Sequence, residues 1–275
     1  MALTVNTNIA SLNAQRNLAT NQAGLSTVFQ RLSSGLRVNS AKDDAAGLAV
    51  AEGLSSLVRG NNVALRNAND GISVGQTADG ALGQIANNLQ RIREIAVQSA
   101  NGSISDTQRT YLQKEVTQLT SEISRVISGT QFNGTNLLDG TLSTINIQVG
   151  SGSAATDSIG VGLTDLSQLN SNISQTIDVS NVNNATTALG QIDADLTTVI
   201  GARADFGAVQ NRFDAVIANL QTYNENLTSA RGRIVDADFA AETASLTRGQ
   251  ILQQASTAIL AQANALPQNA LTLLK

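Results

Sequence analysis

Apolar residues return every three or four positions through most of this 275-residue chain. Between Ala185 and Ala230 they fall at Leu189, Ile192, Leu196, Val199, Phe206, Phe213, Ile217, Leu220 and Leu227. That spacing predicts one continuous amphipathic helix of roughly 45 residues. A second row, Leu112, Val116, Leu119, Ile123 and Val126, is opened by Ser105-Asp106-Thr107-Gln108, a capping-box pattern in which serine and glutamine satisfy each other's orphan backbone donors. A third row runs Leu54, Val58, Leu65, Ile72, Leu82, Ile85, Leu89, Ile92 and Ala96. The stripes of these long helices must face one another to leave water.

The ends carry thinner stripes. Val5, Ile9, Leu12, Leu25, Phe29, Leu32 and Leu36 lie on helical spacing, and Leu252, Ile259, Leu266 and Leu273 recur every seven residues. Both ends read as coiled-coil strands. Their other faces are Asn, Gln, Ser and Thr rather than Glu and Lys. Amides and hydroxyls can be buried with partners at lower cost than charges, so such faces suit packing against further copies. Pro267 is expected to bend or interrupt the last helix, because its ring opposes the carbonyl of Ala263.

Only residues 132–180 break the helical pattern. Asn133-Gly134 and Asp139-Gly140 are turn dipeptides, and Ile145, Ile147 and Val149 alternate as in a half-buried strand. A second strand is expected at Ile173, Ile177 and Val179, with the Gly/Ser-rich GSGSAATDSIG as an exposed tip. The predicted fold is mainly α: an elongated helical bundle with N- and C-terminal helices paired as a coiled coil, plus a small β-hairpin region. The chain goes out through helices, turns in that region and returns, with both termini expected at one end. The predicted division sets residues 1–43 with 236–275 as a terminal coiled-coil domain and 44–235 as a helical bundle that includes the hairpin region.

Composition narrows the chemistry. The chain has no cysteine, histidine or tryptophan and one proline. The commonest zinc ligands, thiol nucleophiles and imidazole bases are thus missing, and neither an enzyme nor a cofactor is expected. A formal net charge of -4 argues against nucleic-acid binding. No apolar run is long enough to span a membrane. MALTVNTNIASLNAQRNLA lacks the basic-then-apolar pattern of a cleavable signal peptide, so any passage out of the cell is expected by another route.

The densest charge lies in RLSSGLRVNSAKDDAAGLAVA, Arg31 to Ala51. Gly35 stands where a helix C-cap would, and Ser40 with Asp43 reads as a capping box opening the next helix. Asp43 and Asp44 are then expected in its first turn, where the helix dipole favours them. The two carboxylates are a poor hydrolytic pair, since neighbouring helix residues point about 100° apart. The stretch reads as a joint whose Arg31, Arg37, Lys42, Asp43 and Asp44 are available for contacts between subunits. A membrane-surface helix would need Lys/Arg-rich polar faces, and these are amide-rich.

NTNIASLNAQRNL, RLSSGLRVNSAKDDAAGLA, RNANDGIS, NNLQRIREIAVQSAN and TQFNGTNLL in the first half, with GRIVDADFAAETASLTRGQILQQASTAILAQAN near the end, resemble the bacterial flagellins, subunits of the flagellar filament. The middle lacks the large extra domains that many such proteins carry, as expected of a short form. A hook-filament junction protein, which shares flagellin-like termini, is the nearest rival.

The resemblance implies a secreted, extracellular, non-enzymatic protein. It would polymerise with itself for motility after unfolded export through the flagellar channel, with terminal helices that order on assembly. It also implies an export chaperone and hook-filament junction and filament cap proteins as partners. Two host partners follow as well: Toll-like receptor 5, through Gln90, Arg91, Arg93, Glu94, Ile95 and Glu115, and a plant flagellin receptor, through residues 30–51.

Overall fold

A computed structural model describes residues 7–169 and 177–272, with side chains described as far as residue 265. Val5, Ile173 and Leu273 fall outside the described residues, and of Leu266 and Pro267 only the backbone falls within them. The elements are α1 (Ile9–Ser34), α2 (Ala45–Ser99), α3 (Asp106–Gly129), β1 (Gln131–Phe132), β2 (Thr135–Asn136), β3 (Thr144–Gln148), β4 (Ser158–Gly162), α4 (Val182–Val235) and α5 (Phe239–Thr272). They form two packed units: Arg59–Asn224, and the described residues up to Val58 with those from Glu225 onward.

In the unit Arg59–Asn224 the predicted stripes become the core. Leu82, Ile85, Leu89 and Ile92 of α2, Val116, Ile123 and Ile127 of α3, and Ile192, Val199, Phe206 and Phe213 of α4 are buried together. Ion pairs fix the register: Arg91 with Glu115 sets α3 against α2, while Arg93 with Asp193 and Arg203 with Asp79 set α4 antiparallel to α2. Gly71 makes room for a side chain of α4, since a Cβ there would sit 2.6 Å from Phe213 Cζ.

The capping box at α3 forms as read, with Ser105 and Gln108 satisfying each other's backbone N–H. Arg109, buried, donates from Nε to the Ser99 carbonyl (2.9 Å) and from Nη2 to the Asn101 carbonyl (2.9 Å), closing the α2–α3 turn.

The Asn133-Gly134 turn joins β1 to β2 with φ of 48° and 79°, as a two-residue hairpin of primed type demands. The strand expected at Ile145 and Ile147 forms as β3, but its partner is not the one expected. It pairs antiparallel with β4, Ser158–Gly162, which begins inside the Gly/Ser-rich stretch read as a tip. Ile177 and Val179 are buried without belonging to a strand. Ser99 Oγ donates to the Val179 carbonyl, and the Gln113 side chain brackets this segment, Nε2 donating to the Ile177 carbonyl and Oε1 accepting from Val179 N–H. Side chains of α2 and α3 therefore take the place of a strand ladder.

In the other unit α1 and α5 run antiparallel. Asn8 lies beside Ala263, Ser11 beside Asn264, Asn21 beside Ser256 and Arg31 beside Glu242. Pro267 does not interrupt α5, which continues to Thr272. No described helix is long and apolar enough to cross a membrane.

Candidate functional site

The α1–α5 pair presents the most unusual surface of the molecule. Its seam is not the stripe of large apolar residues. On α1 the inward positions are Ser11, Ala14, Leu18, Asn21, Leu25 and Val28, and on α5 they are Glu242, Leu246, Gly249, Gln253, Ser256, Leu260 and Ala263, each row stepping by three and four. This is a heptad seam built largely from small and polar side chains. Gly249 gives Leu25 its room in it, since a Cβ there would stand 2.8 Å from Leu25 Cδ2.

Of the apolar residues read as seam, Leu25 is buried and Leu32 half-buried, whereas Ile9, Leu12 and Phe29 on α1 and Ile259 on α5 are half or more exposed. Leu252 is exposed too, with Ile251 and Phe239 beside that row. Each helix can turn only one face to a single partner. The small row allows the closer approach, and the large row is left outside. The signal was present in the sequence as the three-four stepping of Ser, Ala, Gly and Leu, but large side chains outweigh small ones in any hydrophobic reading.

At the end of α1 the charged stretch is a joint, made differently from the reading. Gly35, with φ of 71°, ends α1, its N–H bonded to the Arg31 carbonyl. Asp43 does not enter α2. Its carboxylate accepts from Ser40 Oγ (2.9 Å), Ser40 N–H (2.9 Å) and Asn39 N–H (3.2 Å). These bonds, the Ser40 hydroxyl first, hold its carboxyl below the usual range. Asp44 is the cap instead, accepting the Gly47 N–H at 2.8 Å. Gly47 suits this arrangement because a Cβ there would lie 2.3 Å from Asp44 Oδ2. The predicted box fails because Asp43 folds back over its own turn, moving the helix start to Ala45.

Arg31 and Arg37 are, like Asp43 and Asp44, already engaged within the chain. Arg31 pairs with Glu242 at 3.2 Å. Arg37 closes the end of α4: its guanidinium donates to the Ile234 carbonyl, and its N–H to the Val235 carbonyl (2.7 Å). Ala237 N–H returns a bond to the Gly35 carbonyl, and Leu36 bridges Asp236. The ends of α1 and α4 thus satisfy each other's orphan groups. Nothing local in the sequence could reveal this pairing, which joins positions nearly two hundred residues apart. Lys42 is exposed.

The other set of predicted residues lies on α2 and α3. Arg91 Nε meets Glu115 and Nη1 meets Glu94, both at 2.9 Å, and Arg93 meets Asp193 at 2.7 Å. With exposed Gln90 these make one polar face. Ile95 is not part of it: at 1% exposure it belongs to the core beneath.

Among the described residues no cluster of His, Cys, Asp or Glu is placed to hold a metal ion. The described surface offers exposed apolar area, amides and paired charges.

Comparison with known proteins agrees with that description. The bacterial flagellin N-terminal helical region matches residues 5–143, and the bacterial flagellin C-terminal helical region matches residues 189–274. A flagellin of Halalkalibacterium halodurans is 43% identical over 271 residues, covering 98% of this chain and 99% of that one. A flagellin of Xenorhabdus nematophila is 42% identical over 313 residues and flagellin D of Vibrio cholerae 35% over 376, each covering both chains fully. The crystal structure of Bacillus cereus flagellin superposes with a TM-score of 0.51 at 33% identity, over 56% of this chain and 88% of that one. A putative flagellar hook-associated protein from Vibrio parahaemolyticus gives 0.59 over 70% of this chain and 100% of that one, but at 16% identity, which speaks for shared fold alone.

Proposed function

Since the chain belongs to the bacterial flagellin family, the structural subunits of the flagellar filament and not enzymes, we propose that its polymer contacts are carried by the outward apolar row of α1 and α5 and by the charged joint. The supporting observation is the exposure of Ile9, Leu12, Phe29, Ile251 and Ile259 on a helix pair whose own seam mixes leucine and valine with small and polar side chains. A filament grows when one surface patch meets a different patch on the next copy, so the contact propagates instead of closing. In the joint, Lys42 is the side chain open to a neighbouring subunit. Arg31, Arg37, Asp43 and Asp44 shape the joint that presents it.

The helix pair by itself has little to hold it. Ordering costs about 1–2 kcal/mol per residue, and the buried side chains of α1 are Ser11, Ala14 and Leu25. Copies packing on the outer row supply the missing burial, so α1 and α5 are ordered by assembly. Circular dichroism tests this: the filament is expected to be more helical per residue than the monomer, and equal helicity would overturn the reading. The same weakness suits unfolded export through the flagellar channel, for which a chaperone shields the C-terminal row, and delivery past the junction and cap proteins to the filament tip outside the cell.

The face formed by Gln90, Arg91, Arg93, Glu94 and Glu115 is the candidate contact for Toll-like receptor 5, with Ile95 supporting it from the core. Reporter cells carrying the receptor are expected to respond less to Arg91→Ala monomer than to wild type, and an equal response would remove this face from the proposal. The peptide spanning residues 30–51 is the candidate ligand of the plant flagellin receptor. Applied to leaf tissue it is expected to elicit a response, and silence would retire that assignment.

A further inference from the structure

Among the described residues, the core of the unit Arg59–Asn224 contains one buried acid, Asp195. Asp195 lies between Ile192 and Val199 in the buried row of α4, is 7% exposed, and its Oδ2 has no hydrogen-bond partner. One turn earlier on the same helix, Gln191 Oε1 is likewise buried and unpartnered. Residues four apart on a helix are side-by-side neighbours. Two oxygens that can only accept, each itself buried, therefore stand on one side of α4 four residues apart, an arrangement that costs free energy as long as neither carries a proton.

We propose that Asp195 and Gln191 form a proton-operated latch, in which the protonated carboxyl donates to Gln191 Oε1 and loss of that proton loosens the bundle. The charged groups on the helices packed at this level do not substitute for the proton. Arg91 is engaged with Glu94 and Glu115, Arg93 with Asp193, and Lys114 lies over the Tyr111 ring. Burial alone pushes the Asp195 carboxyl up, to about 6. The sign follows: the latch is fully formed below the ordinary carboxylate range and is lost as pH rises through about 6. This is opposite to Asp178 and Asp193, which accept hydrogen bonds that hold their carboxyls low and whose contribution is lost in acid. The bundle is thereby weakened from within at neutral pH and regains that loss on mild acidification. The inference rests on this pair of oxygens and not on the assembly contacts.

The test uses the full-length monomer. Carbon-detected NMR of the Asp195 carboxyl is expected to show a titration midpoint well above that of an ordinary aspartate. A midpoint at or below the ordinary value would overturn the latch, since it would mean that the Gln191 amide presents its Nε2 to an ionised carboxylate. Asp195→Asn, which carries a permanent donor, is expected to melt ~5 °C or more above wild type at pH 7.5, with the difference vanishing near pH 4. A constant difference across that range would overturn the proposal. In a Gln191→Met background the gain from Asp195→Asn is expected to shrink, and an undiminished gain would remove Gln191 from the mechanism. Should Asp195→Asn fold poorly, the wild-type titration still decides.

Discussion

Replacing Ile259 by serine isolates the contribution of the outward row. In the single chain this side chain is 60% exposed, so its loss takes little packing from the monomer. Fully burying an isoleucine is worth about 1.5–3 kcal/mol, which leaves about 1–2 kcal/mol for a copy to recover when a neighbour covers it. A tenfold change in an equilibrium constant corresponds to about 1.4 kcal/mol, so the critical concentration for polymerisation is expected to rise by roughly tenfold. The assay seeds purified monomer with short filaments, sediments the polymer at equilibrium, and measures the protein left in solution, alongside a melt of the unpolymerised monomer. An unchanged critical concentration would refute the reasoning. So would a fall in monomer stability as large as the loss of assembly, because the residue would then be packing within its own chain. Leu82→Ala supplies the reverse case: Leu82 is fully buried, and a loss of about 2–5 kcal/mol is expected in the monomer itself.

Other substitutions test the close approaches and the caps. Gly71→Ala drives a methyl into Phe213 and is expected to destabilise by about 1–3 kcal/mol despite alanine's better helix propensity, measured by denaturant unfolding; a stabilised variant would mean that Phe213 moves aside freely. Asp44→Ala removes the α2 cap and is expected to cost about 1 kcal/mol, whereas Asp43→Ala should loosen only the Ser40 turn, seen as faster amide exchange at Asn39 and Ser40. Because the Asp43 carboxyl is held low, that turn is expected to stay protected above the ordinary carboxylate range and to lose protection as pH falls below it. Protection unchanged by acid would count against the Asp43 bonds.

The helices could be read from the sequence because each stripe is long and strongly periodic. Leu82, Ile85, Leu89 and Ile92 all land in the core of α2, and the Ser105–Gln108 box needs only residues three apart. The turn at Asn133-Gly134 was legible for the same reason, since its backbone sign is set by its own two residues. Errors arose where a local pattern had more than one possible partner. Asp43 could have capped a helix or folded back on Ser40, and the backbone of the joint selects the second. β3 had two later segments to pair with; it takes the nearer one, while side chains of α2 and α3 bond the backbone of the other.

Among the functional residues, the charged face around Arg91 was visible as a motif, but Ile95 within the same motif lies in the core, a distinction made only by which way α2 is turned. Arg37's role at the end of α4 was invisible, being a contact between distant parts of the chain.

By itself, then, the sequence determined the long helices, the Asn133-Gly134 turn, the absence of Cys and His chemistry, and the family. Those follow from periods of three and four residues and from composition, which act within a turn or two of helix. Tertiary structure decided which of two rows on α1 and α5 faces inward. A helix can bury a row only against a surface that fits it, and Gly249 lets Leu25 in while leaving Ile9, Leu12 and Ile259 outside. Part of the apolar row that looked like a seam within one chain, Ile9, Leu12, Phe29 and Ile259, is therefore left exposed, while Leu25 is taken inside.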